Sequence, residues 1–433
     1  MTLAWLVVER GSFGTTQFLA VRNLVVQYSG LIVMTVMSVA MLLAVRPVWL
    51  ERWFGGLDKM YRLHKWLGIA ALTVGVMHWL ASKGPKWAVG WGLMQRPQRG
   101  PRPPIEDPIA QWLASQRGTA EFVGEWAFYV AAFLIVVALI KWLPYNLFYL
   151  IHRVFPFAYL VLVFHAVVLV KFSYWLSPVG LFLAPLLVAG TWASLISILQ
   201  LIGRRKQAQG TIHSMQYYPG VKALEVAIDI PSGWKGHNPG QFAFVTSSSG
   251  WEGAHPYTIA SAWDESVRRI TFVVKALGDH TNRLREKLFV GQKVKIEGPY
   301  GCFTFEDERP QQIWIGGGIG ITPFIARMKQ LAREGSRKQQ AIHLFHPTAD
   351  HDEEALRKLA ADAEAAGINV HILVDARDGL LSGDYIRKAA PGWRDASIWF
   401  CGPVGLGNAL RRDFFAQGVD IEGSFHQELF EMR

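Results

Sequence analysis

Four histidines stand inside long apolar stretches of the first 203 residues, where lipid disfavours ionisable side chains. His64 and His78 are 14 residues apart, and His152 and His165 are 13 apart. At about 100° and 1.5 Å per residue, a spacing of 14 puts two imidazoles on nearly one face of a helix, about 21 Å apart along its axis. The first pair therefore predicts one imidazole near each face of a membrane.

The second pair needs a distorted helix to do the same. A spacing of 13 leaves two rings off a common face in a regular helix, but Pro156 stands between them and proline kinks or unwinds a helix. Given that distortion, His64 can face His152 on the inner side and His78 can face His165 on the outer side. Two imidazoles facing each other across a helical bundle are the axial ligands of a six-coordinate haem, so we predict two haem b groups. The alternative is four polar side chains hydrogen-bonded within the bundle.

The elements that would position these histidines are membrane spans. The chain has 433 residues, of which 51% are hydrophobic and 18 are Trp, which is too apolar for an ordinary soluble enzyme. A span takes about 20 apolar residues, fewer with snorkelling flanks. The uncharged runs predict five spans, at Asn23–Ala44, Trp66–Ser82, Trp126–Ile140, Val154–Val170 and Phe172–Gly203. The start, MTLAWLVV, lacks the features of a cleavable signal peptide and is either a remnant of a sixth span or an amphipathic start.

Charge is distributed unevenly between the two halves. Residues 1–203 hold 16 Lys and Arg against 7 Asp and Glu, so they carry nearly all of the net charge of +10. That distribution predicts a bilayer surface and no nucleic acid as the partner, and nothing in the sequence demands a protein subunit. The two cysteines, Cys302 and Cys401, form no disulfide framework and fit a reduced compartment. We expect a multi-pass protein of the inner (cytoplasmic) membrane with its C-terminal half in the cytoplasm, although the basic loop Lys83–Glu125 weakens the charge argument for orientation.

The second half reads as two soluble domains. Between residues 210 and 305, short β-rich runs alternate with turns, which predicts a small antiparallel barrel. From residue 306, apolar strands alternate with helical patterns, which predicts a doubly wound parallel sheet. The predicted fold is an α-helical transmembrane bis-haem bundle (1–203), an antiparallel β-barrel (204–305) and an α/β nucleotide domain (306–433).

A glycine cluster opens the α/β part. The run GGGIGITP (316–323) follows an apolar strand and precedes a helix, so its bare backbone could approach a pyrophosphate. A tight strand-to-helix turn is the alternative for such a cluster taken alone. The cluster is accompanied by HPYTIAS (255–261), VVKALGDHT (273–281), GPYG (298–301) and CGP (401–403).

This order of motifs resembles the ferredoxin–NADP reductase module, and with the histidine pairs the chain resembles the ferric reductase and NADPH oxidase flavocytochromes. The resemblance implies FAD, two haem b groups and NADPH or NADH as cofactors. It places in contact with FAD the residues His255, Pro256, Tyr257, Thr258, Val273, Lys275 and Thr281. It places in contact with the nicotinamide nucleotide the residues Gly316, Gly317, Gly318, Gly320, Thr322, Pro323, Cys401, Gly402 and Pro403. Phe430 matches a C-terminal aromatic that stacks on the flavin, and Thr258, Cys401 and Phe430 would lie at the site of hydride transfer.

Two departures from the family pattern bear on substrate choice. The segment after the second nucleotide-domain strand, HLFHPTADHDEE, has histidines and acids where a 2′-phosphate reader would have Arg or Lys; Arg377 is a substitute, so NADPH and NADH both stay open. Ser82 stands where the oxidases tend to carry a further histidine. We expect electron transfer from NAD(P)H to oxygen, giving superoxide, with ferric-chelate reduction as a close rival. Electron relay to a protein partner and a haem-binding sensor are the further alternatives.

Overall fold

The computed structural model describes residues 1–95, 105–140, 142–143, 145–247, 253–335 and 340–428. Among the described residues, ten α-helices precede the first strand: α1 Thr2–Glu9, α2 Phe18–Ala44, α3 Val48–Phe54, α4 Leu57–Gly90, α5 Pro108–Ser115, α6 Arg117–Leu139, α7 Tyr145–His152, α8 Phe155–Leu169, α9 Phe172–Trp175 and α10 Pro178–Ile198. The chain divides into two compact units, Met1–Pro47 with Met60–Ile202, and Val48–Lys59 with the segment from Gly203.

The first unit is a bundle of apolar helices. Within the described residues, four helical segments are long and apolar enough to cross a membrane: Phe18–Ala44, Arg117–Leu139, Leu147–Leu169 and Pro178–Ile198. The predicted span Trp66–Ser82 lies inside α4, a 34-residue helix outside that set of four, where Lys65 and Lys83 bound the uncharged run. The predicted run Phe172–Gly203 divides into the short α9 and the longer α10, because Pro178 starts a new helix.

The predicted distortion beside Pro156 is confirmed. Helix α7 ends at His152 and α8 begins at Phe155, so Pro156 stands in the first turn of α8, where its missing N–H leaves no hydrogen bond unmade. Helix α8 packs against α6 along a stripe of small buried residues, Ala120, Gly124, Ala127 and Ala131. Small side chains let two apolar helices approach closely.

The second unit begins with an antiparallel sheet. Its strands are β1 Gln207–Tyr218, β2 Ala223–Asp229, β3 Phe242–Ser247, β4 His255–Thr258, β5 Arg269–Lys275 and β6 Lys293–Tyr300. They are ordered β4-β3-β6-β1-β2-β5, and a bridge between Ile259 and Phe272 joins the two edges, as a barrel requires. Two short helices, α11 Asp279–Asn282 and α12 Leu284–Lys287, follow β5. The predicted barrel is confirmed.

A parallel sheet follows, ordered β11-β10-β7-β8-β9. Its strands are β7 Gln311–Gly316, β8 Ala341–Thr348, β9 Asn369–Val374, β10 Ala396–Cys401 and β11 Phe425–Gln427. The helices of this part are α13 Thr322–Glu334, α14 Glu353–Ala365, α15 Asp375–Asp378, α16 Gly383–Ala389, α17 Val404–Ala416 and α18 Ile421–Ser424. Strands β7 and β10 are buried along their whole length, as expected of a sheet covered on both faces, and the predicted α/β fold is confirmed.

Candidate cofactor sites

The structure brings the four membrane histidines together in the two pairs that the sequence predicts. The ring centroids of His64 and His152 are 6.2 Å apart, and those of His78 and His165 are 6.5 Å apart. A metal–imidazole nitrogen bond of about 2 Å, with roughly 1.2 Å from that nitrogen to the ring centroid, gives about 6.3 Å for two imidazoles on one metal ion. Both pairs therefore have the spacing of two axial ligands.

Hydrogen bonds from three of the four rings fix their orientation. The Nδ1 of His64 lies 2.9 Å from the carbonyl oxygen of Ala40, and that of His165 lies 2.8 Å from that of Ala120. The Nδ1 of His78 lies 3.1 Å from the carbonyl oxygen of Val26. An imidazole that donates Nδ1–H to a carbonyl keeps Nε2 free as a metal ligand.

His152 is the exception. Its Nδ1 is buried and has no hydrogen-bond partner among the described residues. Its ring stacks between Phe148 and Phe155, at centroid distances of 5.2 and 5.8 Å. Aromatic packing takes the place of a hydrogen bond in holding this ring.

Two glycines make room for the outer pair. A Cβ built on Gly124 would overlap the ring of His165, and one built on Gly30 would lie 3.2 Å from Cε1 of His78. The four partly buried imidazoles, their spacing and this glycine-lined space fit two bis-histidine haems. His64, His78, His152 and His165 would hold them.

The predicted FAD motif HPYT forms strand β4 beside β3, with Thr258 opposite Phe242 and Tyr257 opposite Ala243. The ring of His255 stacks on His280 at 3.6 Å, and Nε2 of His280 lies 3.0 Å from the hydroxyl of Tyr257. Sequence reasoning missed His280, although it stands inside the quoted motif VVKALGDHT. The two histidines and Tyr257 bring the two predicted FAD motifs into contact.

The second FAD motif lies next to this cluster. The Thr281 hydroxyl accepts hydrogen bonds from the backbone N–H groups of Leu277 at 2.9 Å and Gly278 at 3.1 Å, so it shapes the turn after β5. Val273 and Lys275, on β5, line a cleft between the barrel and the parallel sheet. The cleft is also lined by Gly318, Ile319, His346 and Thr348. Lys275 forms an ion pair with Asp350, which follows β8.

The two nucleotide motifs meet because β7 and β10 are parallel neighbours, with Cys401 opposite Gly316. The N–H of Gly317 donates to the carbonyl oxygen of Cys401 at 2.9 Å. A Cβ on Gly320 would overlap the backbone of Cys401, and one on Gly402 would lie 3.0 Å from Cα of Gly317. These glycines are needed because two backbone loops touch.

Other contacts brace the glycine loop. The carbonyl oxygen of Gly316 accepts from Nδ1 of the buried His346 at 2.7 Å, and the Thr322 hydroxyl donates to Ile319 at the same distance. Pro323 stands in the first turn of α13, as the sequence pattern implies. Gly318 has a left-handed φ of +54° and faces open space. These contacts fix the glycine loop and leave the backbone at Gly318 uncovered.

A buried acid that sequence reasoning missed faces Cys401. The thiol of Cys401 lies 3.9 Å from Oε2 of Glu428, and both residues are buried. Burial, reinforced by the Asp58 carboxylate, raises the pKa of Glu428 to about 8. Burial and the Glu428 carboxyl raise the pKa of the Cys401 thiol well above its ordinary value. Phe430, predicted to stack on the flavin, lies outside the described residues; its neighbour Glu428 could have been noticed from that prediction.

Two segments of the chain match known protein families. Residues 29–163 match the family described as "Ferric reductase like transmembrane component", and residues 208–304 match the family described as "FAD-binding domain". A flavohemoprotein from Pseudomonas putida is 28% identical over 238 residues, which are 52% of this chain and 57% of that protein. Ferric reduction oxidase 8, mitochondrial, from Arabidopsis thaliana is 24% identical over 301 residues, 64% of this chain and 36% of that protein.

Among solved structures, the FAD/NAD-binding domain of a nitric oxide dioxygenase from Vibrio cholerae is 20% identical, with a TM-score of 0.44 over 52% of this chain and 98% of that chain. The chain spans about half the length of the first curated relatives it matches. One segment of this chain therefore matches the ferric reductase-like transmembrane family and a second matches the FAD-binding family, and the chain is homologous to ferric reduction oxidases and flavohemoprotein-like reductases.

Proposed function

We propose that this protein transfers electrons from NAD(P)H across a membrane to oxygen, giving superoxide. The observation that carries the transmembrane part is the spacing of the two histidine pairs, 6.2 and 6.5 Å between ring centroids, which suits one metal ion between each pair. The proposal places the protein in the inner membrane, with the FAD and nucleotide module in the cytoplasm where NAD(P)H is available.

When bound, the cofactors would supply the redox chemistry: NAD(P)H a hydride, which is two electrons with a proton, FAD the release of those electrons one at a time, and haem iron the transfer of one electron at a time. The chain's own residues bind and orient. Thr258 would present its hydroxyl to the flavin edge, and Cys401 would pack beside the nicotinamide. His64 with His152 would ligate the inner haem, and His78 with His165 the outer one.

The outer end of α4 offers the acceptor site. Arg22 donates from Nε to the carbonyl oxygen of Ala81 at 3.1 Å and from NH2 to that of Ser82 at 2.9 Å. Ala81 lies four residues before Pro85, whose missing N–H leaves that carbonyl without its helical donor. The Arg22 guanidinium therefore lies one helical turn beyond His78. At that place it would stabilise the negative charge that oxygen gains when it is reduced.

Ferric-chelate reduction is the second candidate. It is favoured by the similarity to ferric reduction oxidase 8, and the Arg22 guanidinium would also attract an anionic iron chelate. No protein partner is needed for either acceptor.

One experiment tests the function and the rivals together. Purified, FAD-loaded protein is reduced anaerobically with NADPH or NADH while its haem bands are followed, and oxygen is then admitted with cytochrome c as the superoxide reporter. Low-spin haem bands that reduce, then reoxidise with a dismutase-sensitive signal, support the oxidase. Reoxidation only by ferric chelate supports the metalloreductase, and reoxidation only by a membrane extract supports a relay to a protein partner.

The ligand assignment needs its own variants. His78→Ala and His152→Ala should each remove one of two haems per FAD, because each breaks one axial pair. His213→Ala is the matched control, since its half-exposed ring pairs with Asp229 in the barrel. Two haems retained in His78→Ala would contradict the assignment.

A further inference from the structure

The ring of His78 meets a buried serine of helix α2. Oγ of Ser29 lies 3.0 Å from Nδ1 of His78, and the carbonyl oxygen of Val26 lies 3.1 Å from the same nitrogen. Ser29 is 6% exposed and stands in an uncharged apolar run, where a hydroxyl without hydrogen bonds would be costly. One ring nitrogen therefore has a hydroxyl and a backbone carbonyl beside it.

The direction of the bond between Ser29 and His78 follows from the other contacts of both groups. The shortest contact of the Ser29 hydroxyl is to the carbonyl oxygen of Val25, at 2.7 Å, one turn back in the same helix. The hydroxyl proton lies there, which leaves the lone pairs of Oγ for a second donor. When Nε2 of His78 is a metal ligand, the ring proton is on Nδ1, and Ser29 and Val26 share it. Ser29 is then the acceptor.

A side-chain acceptor distinguishes His78 from the other three histidines. Nδ1 of His64 and Nδ1 of His165 each lie beside a backbone carbonyl, and Nδ1 of His152 has no hydrogen-bond partner, within the part of the chain that the structure describes. A hydrogen bond from Nδ1–H raises the basicity of a ligating imidazole. A more basic ligand stabilises the oxidised metal relative to the reduced one, so it lowers the reduction potential.

We propose that Ser29 is a positioning residue of the outer haem site: it accepts the Nδ1–H of His78, fixes that ring, and lowers the reduction potential of a haem held by His78 and His165. The proposal rests on the proposed function, since that function makes His78 an axial ligand. It gives a reason for a buried hydroxyl in an apolar helix, 49 residues away from His78 in the sequence.

The test is a redox titration of purified, FAD-loaded, full-length protein, in which the haem absorbance is followed against potential and fitted to two one-electron steps. His78→Ala, which should keep only the inner haem, identifies the step that belongs to the outer one. In Ser29→Ala, the ratio of reduced to oxidised outer haem at a fixed potential should rise roughly two- to tenfold, the range expected for one hydrogen bond. At about 59 mV per tenfold change, the outer potential rises by roughly 20–60 mV.

Two variants separate the hydrogen bond from a general effect on the helix. Ser29→Thr keeps the hydroxyl and should keep the wild-type potential. Ser38→Ala is the matched control and should leave the outer step in place. Ser38 is also buried in α2 and donates to a carbonyl one turn back, that of Met34 at 2.6 Å, but its other partner is the hydroxyl of Tyr159 at 2.8 Å. If Ser29→Ala loses the outer haem, Ser29→Cys, whose thiol is a weaker acceptor, should show the rise in its place.

The outcomes separate the two hypotheses. Wild-type protein with no haem absorbance, or with a single titrating haem, would overturn the proposed bis-haem function itself. Two haems with the same outer potential in wild type and Ser29→Ala would overturn only the role of Ser29. An equal rise in Ser38→Ala would overturn that role as well, because a loosened α2 would then account for the shift. Electron paramagnetic resonance of Ser29→Ala should show two low-spin centres, one with changed g values, since the ligands are retained.

Discussion

Gly124→Ala should selectively weaken the outer haem site. Gly124 is buried in α6, and a Cβ there would overlap the ring of His165, the outer ligand on α8. Nδ1 is the ring atom nearest to that Cβ, and it also makes the hydrogen bond to Ala120. The alanine therefore displaces the ring from its hydrogen bond to Ala120 and from its position opposite His78.

The size of the effect follows from overpacking, which typically costs ~1–3 kcal/mol in a well-packed interior. At 1.4 kcal/mol per factor of ten, the affinity for the outer haem should fall roughly 5- to 150-fold. Gly30→Ala should do much less, because its Cβ would lie 3.2 Å from His78, a contact that a shift of a few tenths of an ångström relieves. Gly118→Ala is the matched control in the same helix as Gly124, since nothing lies within 4 Å of its Cβ.

The assay is the haem-to-FAD ratio of purified protein, with low-temperature electron paramagnetic resonance to separate the two low-spin centres. Gly124→Ala should show one intact centre and one lost or high-spin centre, whereas Gly118→Ala should show two. Two unperturbed low-spin centres in Gly124→Ala would refute the assignment of His165 as a ligand held against α6. Loss in Gly118→Ala as well would show that helix α6 tolerates no added methyl group, whatever its position.

Three further predictions concern the second unit. Gly320→Ala should raise the KM for NAD(P)H roughly 5- to 150-fold with FAD retained, because its Cβ overlaps a neighbouring backbone, while Gly405→Ala, whose Cβ meets open space, should not. Burial raises the pKa of Glu428 from 4.5 to about 8, so the free energy of unfolding should fall by ~1.4 kcal/mol per pH unit as pH rises between those two values. Glu428→Gln should flatten this decrease, measured as the thermal unfolding temperature against pH. An unchanged slope would contradict the burial of an uncharged Glu428. Asp350→Asn removes a carboxylate from the segment after β8, where a 2′-phosphate reader would stand; the ratio of kcat/KM for NADPH to that for NADH should rise severalfold, and a constant ratio would exclude Asp350 from nucleotide choice.

Local patterns in the sequence were enough to identify several elements. In a regular helix, the 14-residue spacing of His64 and His78 puts both side chains on nearly the same face, and α4 is one continuous helix across them. Pro156 likewise predicted where the second helix breaks, because proline acts on its own hydrogen-bonding turn. The glycine cluster at Gly316 follows a strand and precedes a helix, as its composition requires.

The tertiary structure decided what the distant segments do for one another. Apart from its position two residues before the predicted Phe430, nothing local to Glu428 indicates that it is buried 3.9 Å from the Cys401 thiol, since that contact depends on how the segment after β11 packs against β10. The same holds for the space that Gly124 leaves for the ring of His165, because a helical glycine has this role only when another helix lies against it. The sequence by itself determined which residues can bind cofactors, because spacing and bond geometry are local. The tertiary structure decided the protonation, the hydrogen-bond partners and the free space around those residues, because these depend on neighbours far away in the chain.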